Sequence, residues 1–355
     1  MLNINQSEKF SCSESISLPS IEKLFSLYEL KKGDNVLIWT DNGKGIALAI
    51  AKTFYEKLFS LGCQVSVIVE GPKLGVSKAS EITKKAILSL DKGDCFISVG
   101  SGNRGYIVVD GKQVLMRDLI RKNGFKMIAL GGLSSIKADK VNAFIDSFGA
   151  DEKEMVLIQS KLKPLLEKTK EVKITCPFGT DFSFSLGARE VICNDGNWKV
   201  YSTNYPVGEI YTAPIEDSAN GVAFVSSAKI SGQTILPKEP IKFVFKNGIL
   251  FETNNETIND NLDYIDSVNK RENVPDYKKA LRTIAEFGIG TNNKAIIVGA
   301  MICDEKAFGT CHFAYGQNKH FGGKTECHGH FDNVIANPSI WFDGKQIMDN
   351  GKLII

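Results

Sequence analysis

Between residues 35 and 130 the sequence alternates between two kinds of stretch, and this alternation limits the fold more than any other feature. Residues 35–40 (NVLIWT) form a short apolar run, and residues 46–61 carry apolar side chains at helical spacing, with Gly62 as a stop. Gln64–Glu70 (QVSVIVE) is again strand-like, 77–90 helical, Cys95–Val99 a strand, 113–123 helical, and Lys126–Leu130 a strand. Strands that alternate with helices pair in parallel and carry helices on both faces of the sheet. The expected fold of this half is a doubly wound α/β domain.

The pattern then changes. Residues 137–168 read as a charged, helical connector. Residues 172–185, 200–203, 221–230 and 241–252 are rich in β-branched side chains, alternate in polarity and are punctuated by Gly, Asn and Pro, as antiparallel strands are. Residues 260–286 return to helix, and 307–315 and 325–335 read as strands. At 355 residues the chain is long enough for two domains of roughly 150 residues each. The expected division is a doubly wound domain over 1–170 and an α+β domain with a mainly antiparallel sheet over 171–355.

Composition excludes several classes. A hydrophobic fraction of 43% and a charged fraction of 24% are those of an ordinary globular protein. The net charge of +2 gives no basic excess for nucleic acid or an anionic membrane. No apolar run approaches the roughly 18 residues of a membrane helix, and the start MLNINQSEKF is not a signal peptide. The eight cysteines include no C-x-x-C pair, so a zinc ribbon or thioredoxin-like motif is absent, and reduced thiols in the cytoplasm are expected.

The four histidines of the chain all fall between His312 and His330. Histidine is the commonest metal ligand and the usual acid/base at neutral pH. If 325–335 is a strand, His328, His330 and Asp332 share one face, because side chains two apart point the same way. His312 in the neighbouring strand could aim at the same point. Imidazole and carboxylate together are a ligand set for zinc, cobalt, manganese or ferrous iron. His320 lies in a loop with two glycines (NKHFGG), and His328 is a ligand or an outer-shell partner of one. Two upstream acids stand in apolar surroundings: Glu209 in PVGEIYTAP, and Glu286 in IAEFGIGTN, at what reads as a helix end. An acid so placed needs a partner, either a cation or a basic side chain.

Two glycine-rich stretches carry less. Gly100 to Gly105 (GSGNRG) follows a strand but precedes YIVVDG, which is strand-like, so it does not open the helix a dinucleotide fingerprint requires. Residues 41–45 (DNGKG) lack the G-K-[ST] of a phosphate loop. The first reads as an ordinary loop, the second as a capped helix start.

The segments 286–292 (EFGIGTN), 304–316 (DEKAFGTCHFAYG), 321–323 and 330–332, with 174–184 and 208–221 (GEIYTAPIEDSANG), resemble the aminopeptidase T / aminopeptidase S family of metallopeptidases. The resemblance is specific over about 172–351 and covers most of the chain. It implies a pair of divalent metals (zinc, cobalt or manganese) held by Glu209, Glu286, His312, His330 and Asp332. It also implies an aminopeptidase in which metal-activated water attacks the N-terminal peptide bond and an acid such as Glu286 moves the proton. The family's peptidases carry a tyrosine shortly after the first histidine. Here the segment reads YGQNKH, so Tyr315 or His320 would take that catalytic place. A peptide substrate and a homodimer are implied as well. The family is related to an iron-dependent dioxygenase that opens dihydroxypyridine rings, so a mononuclear Fe(II) dioxygenase is the first alternative. A non-catalytic binder of peptides or small molecules on the same fold is the second.

Overall fold

The computed structural model describes residues 10, 14–73, 77–103, 105–110, 112–115, 119, 122–199 and 203–355. These divide into two compact units. One comprises Met1–Gly149, Gly196–Val207 and Ser231–Gln233, and the other Ala150–Asp195, Gly208–Ile230 and Thr234–Ile355.

The first unit is built on a parallel sheet with strand order Thr203–Asn204, Lys126–Leu130, Cys95–Val99, Asn35–Asp41, Gln64–Glu70. Every residue of Cys95–Val99 and Lys126–Leu130 is buried, the continuous apolar run expected where helices cover both faces. From Asn35–Asp41 the chain passes through helix Ala47–Leu61 to the strand on one side. It then passes through helix Glu81–Leu88 to the strand on the other. Right-handed crossovers in opposite directions put those helices on opposite faces, as a doubly wound sheet requires. On one face Leu37, Trp39, Phe96, Met127 and Ala129 pack with Ile87 of the second helix.

The expected helix over 113–123 starts later than the spacing suggests: Leu119, Lys122 and Asn123 are helical, but its first residues are not. Lys112–Leu115 is a strand paired with Tyr106–Val109. The Asp110-Gly111 dipeptide between them is a strong hairpin signal, and it outweighs the weak helical spacing that follows. Residues 116–118, 120 and 121 of that stretch lie outside the described residues, as does Arg104 of the glycine-rich loop and 200–202 of the strand expected over 200–203. The loop after Cys95–Val99 leads into this hairpin and opens no helix. Asp41 holds it, accepting hydrogen bonds from the Ser101 N–H (2.8 Å), the Ser101 hydroxyl (2.5 Å) and the Gly43 N–H (2.9 Å).

The second unit carries two largely antiparallel sheets. One runs Ile249–Thr253, Ile241–Lys246, Asn220–Val225, Asp181–Ser185, Glu171–Thr175, Ser339–Phe342, Lys345–Asp349, Lys352–Leu353. The other contains Ser227–Ile230, His330–Ala336, Thr310–Gly316, Ile284–Gly290, Glu209–Thr212 and Ile192–Asn194 as neighbours in that order. The long strands expected over 172–185 and 241–252 are each two strands joined by a turn, the second at Asn247-Gly248, and the one over 221–230 is bent at Ser226 and passes from one sheet to the other. The expected connector helix is broken into short pieces before Glu152–Lys168. That last helix belongs to the second unit, where the Gln159 amide donates to the Glu209 carbonyl (3.2 Å) and the Thr291 hydroxyl (2.9 Å).

Aromatic side chains fill the space between the two sheets. Phe182 meets Phe313 at 5.3 Å between ring centroids, Phe184 meets Phe287 at 5.1 Å, and Phe243 meets both Phe313 (5.7 Å) and Tyr315 (6.3 Å). Each such pair contributes about 0.5–1.5 kcal/mol beyond its buried area. Because strand side chains alternate, Phe287, Phe313, Tyr315 and Phe331 on this inner face oblige residues 286, 288, 312, 314, 330 and 332 to the other.

Glu286 is where the structure corrects the expected secondary structure most sharply. It lies inside the buried strand Ile284–Gly290, while the helices end earlier, at Arg271 and Arg282. The strand His330–Ala336 also starts later than expected, which removes His328 from it. Among the described residues no helix is long and apolar enough to cross a membrane.

Candidate metal centre

Four neighbouring strands bring the expected ligands to one face of the sheet. Register fixes this: Glu209 pairs with Gly290, Gly288 with His312, Glu286 with Ala314, Ala314 with Asp332 and Gly316 with His330. Residues directly opposite in a sheet point to the same side, so Glu209, Glu286, His312, His330 and Asp332 all leave the face opposite the aromatic core. Glu209, Glu286, His312 and Asp332 are buried, and His330 is partly exposed.

They form two triplets that share Glu286. Glu209, Glu286 and His312 offer one set of ligand atoms, and Glu286, His330 and Asp332 the other, each within 4.8 Å of one another. Glu286 gives a different oxygen to each: Oε1 lies 3.2 Å from His312 Nε2, and Oε2 lies 3.2 Å from His330 Nε2. Asp332 Oδ1 stands 3.0 Å from His330 Nε2, and Glu209 Oε2 stands 3.5 Å from His312 Nε2. Among the described residues no triplet contains both histidines. Each set is one imidazole and two carboxylates, a hard, oxygen-rich donor set suited to ferrous iron, manganese or zinc.

The tautomer of His330 bears on whether a cation fits. Its Nδ1 is 2.7 Å from the Gln317 carbonyl, which can only accept, so Nδ1 carries a proton and donates it. A neutral ring then turns the lone pair of Nε2 toward two carboxylates, which is repulsive unless a proton or a metal ion lies between. Burial by itself would lower the His330 pKa, but Asp332 and Glu286 outweigh it and raise it to about 10. The same imidazole-to-carbonyl contact orients metal-bound histidines generally. In the other triplet, Glu209 Oε2 and His312 Nδ1 are buried with no hydrogen-bond partner among the described residues. A buried carboxylate oxygen left in that state is costly, and a cation would satisfy it.

Two lysines and a further acid belong to the centre and were not singled out from the sequence. Lys306, fully buried, donates to Glu209 Oε1 at 2.7 Å and is also paired with Glu305. Lys229 donates to Asp332 Oδ2 at 2.7 Å. Burial raises the Asp332 pKa, but Lys229 and His330 outweigh it and hold the carboxyl well below its usual range. Burial pushes Glu305 up to about 7. Four carboxylates, Glu209, Glu286, Glu305 and Asp332, thus meet two lysines, Lys229 and Lys306, so acids outnumber bases among these side chains. Lys306 was legible only as part of the DEK triplet before His312. Nothing in the sequence marks Lys229.

The remaining candidates divide. His320 is near: its ring centroid is 6.0 Å from that of His330, and its Nδ1 is 2.6 Å from Gln317 Oε1. Phe321 lies between the two rings and Tyr211, at 4.6 Å from His320, 5.7 Å from His330 and 5.7 Å from Tyr211. Tyr315 is a correction. It is fully buried on the opposite face, in the aromatic core, and burial raises its pKa, so it does not reach the ligands. His328 is excluded from both triplets because Gly329, at φ +111°, turns the chain and breaks the period-two alternation.

A family model described as NicX, 2,5-dihydroxypyridine 5,6-dioxygenase, matches residues 139–355. Among solved structures, a 2,5-dihydroxypyridine dioxygenase from Pseudomonas putida KT2440 superimposes with a TM-score of 0.64 at 16% identity, over 100% of this chain and 98% of that one. Wild-type AmpT from Thermus thermophilus superimposes with a TM-score of 0.59 at 15% identity, over 95% of this chain and 100% of that one. No curated protein sequence matches significantly. The structural likenesses show a shared fold. The expected kinship with aminopeptidase T holds at that level, while the matching family model is the dioxygenase one.

Proposed function

Since the chain belongs to the NicX, 2,5-dihydroxypyridine 5,6-dioxygenase family, we propose that it is a metal-dependent oxygenase that opens a hydroxylated nitrogen-heteroaromatic ring, with ferrous iron held by Glu286, His330 and Asp332. This replaces the aminopeptidase expectation as the leading reading. The observation that carries it is the arrangement of His330, with Nδ1–H on the Gln317 carbonyl and Nε2 turned to two carboxylates. Two carboxylates and one imidazole leave further coordination positions for substrate and dioxygen.

When bound, iron supplies electron exchange with dioxygen, which no side chain here can perform. The side chains do the rest. Glu286 and Asp332, both ionised, and the Nδ1-anchored imidazole of His330 form a fixed set of donors. In a one-ion centre Glu209 and His312 are not required as ligands. Their buried pair is then free to accept the hydroxyl proton of the substrate, and Lys306 fixes the Glu209 carboxylate by donating to its Oε1 at 2.7 Å. Phe321, Tyr211 and His320 form an aromatic wall beside His330.

A second reading, a two-metal aminopeptidase, is favoured by one feature. Glu286 offers its two oxygens to separate triplets, and the Glu209–His312 corner has two unpartnered buried atoms. Loading the protein anaerobically with Fe(II), then adding 2,5-dihydroxypyridine and air, separates the readings. Oxygen uptake supports the oxygenase. Release of amino acids from aminoacyl amides with Zn(II), Co(II) or Mn(II), and no oxygen uptake with Fe(II), overturns it.

A further inference from the structure

We infer that Lys229 receives an anionic oxygen of the substrate beside the metal, an inference that deepens the metalloenzyme reading and rests on it.

The two lysines of the centre are not equivalent. Lys306 is fully enclosed and has two carboxylate partners, Glu209 and Glu305. Lys229 comes from the neighbouring strand Ser227–Ile230, set by the pairs Ser227 with Val334 and Ala228 with Asn333. Its hydrogen-bond partner among the described residues is Asp332 Oδ2, and 37% of its side chain remains exposed. An ammonium has three N–H donors. One is used, so two remain for oxygen atoms that enter from the open side.

The position of those donors gives the class of ligand. Asp332 Oδ2 accepts from Lys229 while Oδ1 faces His330 Nε2 at 3.0 Å. The ammonium thus stands one carboxylate away from the candidate ion, and Asp332 holds it there. A substrate oxygen bound at that ion lies beside an ammonium already oriented, which costs little reorganisation when negative charge arrives. A bidentate planar anion would call for arginine. A single charged oxygen is suited by the compact point charge of lysine. The expected ligand is a deprotonated ring hydroxyl, or another oxyanion of similar size.

The test uses full-length protein loaded with Zn(II), which is redox-silent, so that binding is read without turnover. Calorimetry is done with two probes, 2,5-dihydroxypyridine without oxygen and leucine hydroxamate, alongside zinc analysis. Lys229→Met should weaken the bound probe about tenfold to a hundredfold, the range for a charged hydrogen bond, with zinc content unchanged. Lys229→Arg should recover most of that loss. Equal probe affinity in Lys229→Met overturns the inference. Loss of zinc from Lys229→Met also overturns it, since Lys229 would then serve the metal through Asp332. If wild type binds the hydroxamate and not the pyridine, the oxygenase reading fails while Lys229 is still tested on the hydroxamate. If wild type binds neither, the inference fails.

Discussion

Gly288 lies so close beneath His312 that a methyl group on its Cα would stand 2.3 Å from His312 Cε1 and from Nε2. The two residues face each other directly across neighbouring strands. The imidazole therefore lies over bare backbone, and this is how its Nε2 reaches Glu286 and Glu209. Gly288→Ala should displace the ring, cost about 1–3 kcal/mol from overpacking in a buried sheet, and weaken the Glu209–Glu286–His312 triplet. Denaturant unfolding and activity of the variant check this. Unchanged stability and rate would mean that His312 is not held as described.

The metal-free centre should be pH-sensitive in a definite direction. The His330 pKa is raised from its ordinary value to about 10, burial notwithstanding, by Asp332 and Glu286. A raised folded pKa stabilises below the unfolded value of about 6.5 and is lost as pH climbs through about 10. Chelator-treated protein should thus lose stability over that window. At neutral pH the ion displaces the His330 proton, so its uptake should release protons and tighten with rising pH. Calorimetry in buffers of different ionisation enthalpy reads that release. Uptake without proton release would show that His330 is not a ligand.

His330 and His328 separate by metal content. His330→Ala removes a member of a triplet and should lower the bound metal, whereas His328, beyond the Gly329 turn, should leave it near wild type. The reverse pattern in metal analysis of the two purified variants would exclude the proposed ligand set.

Glu209→Gln distinguishes one ion from two. In the one-ion reading the variant retains its iron and loses rate, by about a hundredfold or more for a lost acid–base group. In the two-ion reading it loses one of two metals. Metal stoichiometry measured beside turnover decides between them.

Much of this was legible in the residues and some was not. The strands Cys95–Val99 and Lys126–Leu130 are legible because a buried parallel strand is a nearly continuous apolar run, and Gln64–Glu70, at the end of the sheet, is legible from its β-branched alternation. The cluster of His312, His330 and Asp332 is legible from strand spacing, and the full set with Glu209 and Glu286 from the resemblance carried over position by position. By sequence Glu286 reads as a helix end, because residues 260–283 are largely helical and IAEFGIG is apolar at almost any spacing. Pairing with Thr310–Gly316 on one side and Glu209–Thr212 on the other makes the segment a strand. Tyr315 is a candidate by its proximity in sequence to His312. The odd separation of three puts it on the opposite face, against Phe243. Lys306 and Lys229 could not be chosen from the other basic residues, because their meaning lies in ion pairs spanning 97 and 103 residues.

Dioxygen incorporation decides whether this centre is an oxygenase, and it is read by mass spectrometry of the product formed from 2,5-dihydroxypyridine by Fe(II)-loaded protein under isotopically labelled dioxygen. A ring-opened product carrying both labelled atoms, absent with His330→Ala, is expected. An unlabelled product, or intact substrate from fully iron-loaded protein, excludes the oxygenase.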